Sequence, residues 1–387
     1  MNGGLDINID KTKVVVFNRA FRKTHKFSFF VNNSPIEVAK SYRYLGVTIT
    51  STGSFHLNMQ EVRNKALRAL YSLYSSISLY SGEGTISLFL KLFKILIKPI
   101  LLYACEIWGF TTFTSGTIIS KFVGKFYKNL LGVPISTSNV AGHLELGCLP
   151  VEIDIKESIL KYWLRLVQLP SNRLVHHAYQ FLLQNNISDS WMSAVRNIFN
   201  HTGYSFIWDE QNDLSFHDKM FSKSLSDQIS ESMMNQFIQT SDRCMFTERK
   251  LNYFSMFKED FGVSKYIECI PKRSQYTLMA KCRLGVLDLE IEKGRWENKP
   301  REERLCQVCP FSEIEDEAHF MFSCGAYEQQ RATFLQKIDQ FLPNFQKLPD
   351  RKKYITIMKS TDSKVVAEVG KFLLQIHKIR EEILNPN

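Results

Sequence analysis

Hydrophobic and polar positions change rhythm once near the start of this chain. Val14 to Phe17, Lys26 to Val31 and Tyr42 to Ile49 are rich in β-branched and aromatic residues and read as strands, with Asn32-Asn33-Ser34-Pro35 as a turn between them. From Phe55 onward the apolar residues recur at helical spacing, with Leu67, Leu70, Leu73 and Tyr74 on one stripe and Gly53 and Ser54 as a start signal. The same spacing predicts helices over about 85–103, 118–131 and 151–168, joined at Pro134 and Pro150. Residues 171–275 read as mostly helical, with Ser/Asn/Asp clusters near 185–190 and 209–216 as loops, and helices resume over about 325–341 and 363–384. The pattern predicts an α+β, mostly helical fold. Its expected segments are a β element over 1–52, a helical region over 53–170, a helical linker over 171–285 and a C-terminal region over 286–387.

Cysteine placement adds a site to this outline. Five of the eight cysteines are scattered, whereas Cys306, Cys309 and Cys324 cluster with a histidine as Cys306-x2-Cys309-x9-His319-x4-Cys324. Two thiolates separated by two residues approach one ion from a tight turn, and His319 and Cys324 close a tetrahedron, a donor set suited to zinc. All four positions are filled, so the ion is expected to be structural, not hydrolytic. The scattered remainder points to reduced thiols and an intracellular setting, nucleus or cytoplasm.

Charge changes the picture further. The formal net charge is +10, from 49 Lys and Arg against 39 Asp and Glu, and suits a polyanionic partner. Six Lys or Arg and no acid lie from Lys11 to Lys26. Lys91, Lys94 and Lys98, and again Lys121, Lys125 and Lys128, recur at spacings that put each trio on one helix face. With Phe93, Phe122, Phe126 and Tyr127 interleaved, such faces could track a phosphate backbone and stack on bases. The blander reading is that the lysines are ordinary solvated positions and the aromatics are core. Glu106 is the only acid between Gly84 and Leu144, which weighs toward a cationic surface. Between the metal ligands, by contrast, Glu313, Glu315, Asp316 and Glu317 would repel phosphates, so contact there is expected from the basic flank at 293–304, including Arg295 and Arg304.

Several function classes are disfavoured. The start of the chain lacks a secretory signal pattern, and the apolar stretch from Ile86 to Phe110 is cut by Lys91, Lys94, Lys98 and Pro99, so no membrane partner is expected. The sequence has no adjacent Asp pair, P-loop, Gly-x-Ser-x-Gly elbow or Rossmann glycine run. Asp350, Asp362 and Lys364 resemble the carboxylate and lysine set of metal-dependent nucleases, but only loosely.

An ordered series of short motifs resembles LINE-type (non-long-terminal-repeat) retrotransposon reverse transcriptases. Gly4 to Lys13 followed by Val14 to Phe17 looks like the segment just downstream of their active-site aspartates. Tyr42-Arg43-Tyr44-Leu45-Gly46-Val47 resembles their primer grip, and Leu102-Tyr103 with Glu106-Ile107-Trp108-Gly109 resembles their thumb. Leu130 to Pro134, Glu145-Leu146-Gly147 with Pro150, and Arg283-Leu284-Gly285 follow in family order. The series ends with Gly294-Arg295, Arg304, the Cys-Cys-His-Cys ligands, Asp316-Glu317-x-His319, Tyr327 and Arg331.

The resemblance implies that the β element is the end of a palm and that residues 53–170 are a thumb gripping template and primer. Lys11 would sit near the incoming triphosphate as an accessory general acid, Lys13 would contact nucleic acid, and Tyr42 to Val47, with Tyr44 and Gly46, would position the primer terminus. RNA or DNA, and a full-length retroelement polymerase, are the implied partners. The paired carboxylates that bind Mg²⁺ are expected upstream, so Mg²⁺ would enter only with that catalytic domain, and this chain alone is expected not to polymerise. The alternative is a host-retained scaffold for protein partners.

Overall fold

The chain is described from a computed structural model, covering residues 7–17, 28–77, 86–113, 117–185, 191–211, 216, 218–247, 251 and 253–386. The fold is α+β and mostly helical, with its β element near the N-terminus. It divides into two compact units. The smaller contains Met1–Tyr71, Leu96–Ser120 and Asp154–Ser226, and the larger contains Ser72–Ile95, Lys121–Ile153 and Asp227–Asn387. These units interleave along the sequence. Among the described residues no helix is long and apolar enough to cross a membrane.

The smaller unit opens with five strands: β1 (Lys13–Val14), β2 (Phe29–Val31), β3 (Ser34–Val38), β4 (Ser41–Tyr44) and β5 (Val47–Thr50). β2 and β3 form an antiparallel hairpin, and β1 lies parallel to β3. The expected turn is shorter than four residues: Asn32 and Asn33 alone make it, both with positive φ, while Ser34 and Pro35 enter β3. The single strand expected over 42–49 is instead the β4–β5 hairpin, because Leu45 (φ 45°) and Gly46 (φ 85°) turn the chain back on itself. The Tyr103 hydroxyl donates to the exposed Leu45 carbonyl at 2.9 Å and holds this turn. Asn58 accepts from the Thr48 amide at 3.0 Å and Glu61 from the Thr48 hydroxyl at 2.7 Å, joining β5 to the start of the His56–Ser76 helix.

The core of the smaller unit is aromatic. Trp163 is fully buried on the Val151–Val167 helix, with Phe199 and Phe216 rings edge-on at 4.9 and 5.3 Å. Its indole donates to the Tyr179 hydroxyl at 2.9 Å, so its one polar atom is satisfied on burial. Helices Leu174–Asn185, Trp191–Thr202 and Ser205–Asp209 supply the surrounding rings, in agreement with a helical reading of this region. Most of the Ser/Asn/Asp clusters read as loops (186–190 and 212–215) lie outside the described residues.

In the larger unit the Asn139–Leu146 and Arg273–Arg283 helices meet through a buried ion pair. Arg283 Nε donates to Glu145 Oε1 at 2.6 Å, with the two side chains 6% and 0% exposed, and its Nη1 donates to the Met358 carbonyl. The guanidinium also lies over the Phe257 ring at 4.5 Å. Gly147 (φ 59°) makes this assembly possible, because a Cβ there would come within 2.6 Å of the Gly262 and Val263 backbone. The Ser363–Leu384 helix, as expected in extent, packs on Arg273–Arg283 and on Glu328–Asp339, where Phe334 and Phe372 stack at 4.2 Å. Between them runs a helix the sequence reading omitted, Asp350–Lys359, whose Tyr354 hydroxyl donates to the Cys282 carbonyl at 2.9 Å.

Breaking the buried pair from one side leaves a desolvated charge. Arg283→Met and Glu145→Gln should each destabilise by about 3–5 kcal/mol, and the double variant should recover part of that loss, as measured by urea unfolding. Additive losses would show that the two side chains do not act as a pair. His143 gives a pH signature: burial holds its pKa below the ordinary value, against the hydrogen bond with the Cys148 carbonyl that favours its charge. Because the folded pKa is depressed, its contribution is present above the unfolded value near 6.5 and lost as pH falls below it. The melting temperature of the wild type should therefore drop more between pH 7.5 and 5.5 than that of His143→Gln.

Candidate metal centre

The cysteine cluster folds as a small knuckle. Residues 305 and 314 form an isolated antiparallel bridge, with the Cys306 amide donating to the Glu313 carbonyl at 2.9 Å and the Glu315 amide to the Arg304 carbonyl at 2.9 Å. Asp316 then starts the next turn, its Oδ1 accepting from the Ala318 and His319 amides, each at 3.1 Å. That turn, His319–Ser323, is a π-helix, and the Cys324 amide reaches back to the His319 carbonyl at 2.9 Å. In an α-helix, residues five apart point about 140° away from each other. The wider π turn brings His319 and Cys324 to the same side.

All four side chains are buried, and their ligand atoms lie within 4.8 Å of one another. Cys306 and Cys324 sulfurs are 4.0 Å apart, and Cys309 Sγ is 3.5 Å from His319 Nε2. Sulfur and nitrogen at bonding distance around a tetrahedral zinc are about 3.5–3.8 Å apart, so the cluster could hold a metal ion such as zinc with small adjustment. Cys306 and Cys324 share a hydrogen bond that pushes the Cys306 thiol up to about 12 and holds Cys324 below its ordinary value.

Surrounding residues fit a metal as well. Glu313 Oε2 lies 2.9 Å from His319 Nδ1, which orients the ring with Nε2 toward the cysteines. Glu315, 1% exposed, accepts from the Glu290 amide at 2.8 Å and from the buried Arg380 guanidinium through both oxygens, and Cys306 Sγ lies 3.4 Å from its Oε1. One donor points to a missing negative charge: the buried Arg331 Nη1 has no hydrogen-bond partner among the described residues, and the charge of Cys324 acts on it. Three thiolates around a divalent ion leave one net negative charge for it to meet. Glu317 is also buried, and desolvation pushes it up to about 7.

These acids overturn one sequence expectation. The stretch between the ligands is not a solvent-facing acidic loop, because Glu315 and Glu317 are interior and Asp316 caps a turn. Nothing local in the sequence announces this; the signal is Arg380, 65 positions away and buried on an otherwise apolar helix face. The basic flank is likewise internally engaged. Arg295 pairs with Glu292, Lys293 with Asp288 at 3.4 Å, Lys299 with Glu297 at 2.5 Å and Arg301 with Asp316 at 3.1 Å. Arg304 donates to the Lys299 and Ile291 carbonyls.

The other expected contact residues separate into groups. Lys91, Lys94, Lys121 and Lys125 are exposed in the larger unit, on helical segments Ile86–Leu92, Phe93–Ile97 and Ile118–Leu131. Phe93 and Phe126 stack at 4.1 Å and join these segments. Lys128 departs from the expected face: it is buried, donates to the Ile135 carbonyl at 2.7 Å, and desolvation lowers its pKa. Lys98 pairs with Asp154 at 2.6 Å, because the π-helical stretch Phe93–Ile97 rotates it off the line of Lys91 and Lys94. Phe93, Phe122, Phe126 and Tyr127 are all buried core and are not available to stack on bases. Lys11 is exposed with its carbonyl accepting from the Tyr42 hydroxyl at 3.1 Å; Lys13 pairs with Glu37; Tyr44 projects from the β4–β5 hairpin, 61% exposed, beside Gly46. Most of the cationic run from Lys11 to Lys26, residues 18–27, lies outside the described residues, as do Gly4 to Asp6.

The nuclease-like set finds other roles. Asp362 caps the Ser363–Leu384 helix, accepting from the Lys364 amide at 2.7 Å, and Asp350 accepts from Ser323 Oγ at 2.6 Å and Lys353 Nζ at 2.9 Å. No protein-family model matches this chain, and no curated protein matches it.

Cys309→Ser should lower bound metal well below one ion per chain by elemental analysis and expose the knuckle to limited proteolysis; undiminished metal content would remove Cys309 from the ligand set. Glu313→Ala should weaken metal affinity by roughly 10-fold or more in chelator competition, since it removes the carboxylate that orients the His319 ring. An unchanged affinity would mean that the Glu313 carboxylate does not serve the site.

Proposed function

We propose that this chain is the C-terminal portion of a LINE-type reverse transcriptase that grips nucleic acid and carries a structural zinc. The observation that carries the reading is how the resembling segments pair. The primer-grip-like turn at Leu45 is held by Tyr103 of the thumb-like segment. Glu145 and Arg283, from motifs 138 positions apart, form a buried ion pair. The Arg304 carbonyl accepts from the Glu315 amide of the ligand segment, and the Cys324 carbonyl from the Tyr327 amide. A chance series of short matches has no reason to meet in pairs.

Zinc is the structural ion in this reading. Four buried side chains complete its coordination, and Glu315 ties Cys306 to the Ser363–Leu384 helix through Arg380, so binding free energy becomes folding free energy. Lys91, Lys94, Lys121 and Lys125 are the exposed cations best placed to meet phosphates of RNA or DNA. Paired carboxylates for Mg²⁺ are not among this chain's residues, so a full-length polymerase of the same family is the partner that would supply them. A protein scaffold using an exposed acidic knuckle is disfavoured by the burial of Glu315 and Glu317.

Fluorescence anisotropy with a template–primer across a salt series tests this. Affinity of the zinc-loaded chain should fall linearly on a log–log plot, and replacing the four lysines by Gln should make the slope shallower by roughly 1 per lost phosphate contact. Primer extension in Mg²⁺ should be absent. Binding that ignores salt, or that survives the four substitutions unchanged in a folded variant, would overturn the reading.

A further inference from the structure

A cavity of about 290 Å³ opens in the larger unit between residues 257–266 and the end of the Asp350–Lys359 helix. This lies at the lower end of the roughly 300–1,000 Å³ range of small-molecule sites. Its walls are partly apolar, from Phe257, Met279, Ile357 and Val366. Its polar side is built on Ser264, 6% exposed, onto whose Oγ two cations converge: Lys258 Nζ donates to it at 3.3 Å and Arg283 Nη2 at 3.5 Å.

The donors at this point outnumber their acceptors. Lys258 has three N–H groups and uses one on the Gly262 carbonyl at 2.6 Å and one on Ser264, both neutral oxygens, so a third remains. Ser264 receives two donors on its lone pairs, which leaves its own proton to give. The Arg283 contact is long, so that N–H is poorly satisfied too. Burial discourages the Lys258 charge, against the attraction of the Glu145 and Asp260 carboxylates. Nearby acids oppose an anion only in part, because Glu145 is paired with Arg283 at 2.6 Å and Glu259 with Lys359 at 2.5 Å, whereas Asp260 stands exposed.

We propose that this cavity binds a small organic phosphate, a nucleoside monophosphate or smaller, with its phosphate on Lys258, Ser264 and Arg283 and its body against the apolar wall. Three donors converging near one point match the three terminal oxygens of a phosphate monoester better than the two of a carboxylate. The site is separate in residues from the exposed lysines above and does not depend on the nucleic-acid reading.

Isothermal titration calorimetry of the full zinc-loaded chain tests it, with AMP, UMP, inorganic phosphate, adenosine and benzoate as probes. A nucleotide should bind saturably, more tightly than inorganic phosphate, with adenosine silent. Lys258→Met should cost at least tenfold in affinity with the melting temperature retained, Lys258→Arg should restore part of it, and Asp260→Asn should tighten binding severalfold. Replacing Lys91, Lys94, Lys121 and Lys125 by Gln should leave nucleotide affinity unchanged. No saturable binding of any probe at millimolar concentration, or nucleotide binding indifferent to Lys258→Met, would overturn the proposal; benzoate binding as tightly as AMP would overturn the phosphate assignment.

Discussion

A guanidinium taken out of water must be met by a carboxylate or fixed acceptors, and the larger unit is organised around two places where this happens. Arg283 lies between Glu145, the Met358 carbonyl and the Phe257 ring, and Arg380 lies between both oxygens of Glu315 and the Asp288 carbonyl. Burying such a pair contributes little net stability, since desolvation offsets most of the attraction. What it contributes is selectivity. The Arg283 group is satisfied only when the Asn139–Leu146 helix, the Arg273–Arg283 helix and the end of Asp350–Lys359 have assembled in one arrangement, so alternatives leave a charge stranded in the core.

The second pair extends that constraint to the metal knuckle. Glu315 accepts from Arg380 while its backbone pairs with residues 304 and 291, and its carboxylate approaches Cys306. Metal binding, hairpin register and docking of the Ser363–Leu384 helix are therefore three readings of one network. Loss of the ion would weaken the geometry that brings Glu315 to Arg380, leaving a buried guanidinium short of its partner. An ion held by so short a segment would in this way act on a helix that begins almost forty positions further on.

How much of this was legible in the sequence follows from the range of each interaction. Helices with strong apolar periodicity, such as Ile118–Leu131 and Ser363–Leu384, are predicted nearly to their ends, and the four candidate metal ligands stand out because their spacing is local. The β4–β5 hairpin was hidden because its turn begins at Leu45, a residue type that gives no turn signal, with positive φ stabilised by a contact from Tyr103. Lys98 and Lys128 were misplaced because period alone cannot see a π-helical stretch or a carbonyl waiting at Ile135. The acids of the knuckle were misread because their partner lies on another helix.

The same pairing rule redraws the electrostatic surface. A cation within about 3 Å of a carboxylate projects little field beyond roughly 8–10 Å in physiological salt, so the flank from Lys293 to Arg301 is far less cationic than its composition suggests. Lys91, Lys94, Lys121 and Lys125 form no ion pair among the described residues, and their segments carry no acid of their own. The aromatics beside them are sealed in the core, with Phe93 stacked on Phe126. A grip built from such a surface would act through charge alone, following the phosphate backbone without reading bases. Any selectivity for a particular strand would then have to come from shape or from a partner that supplies base contacts.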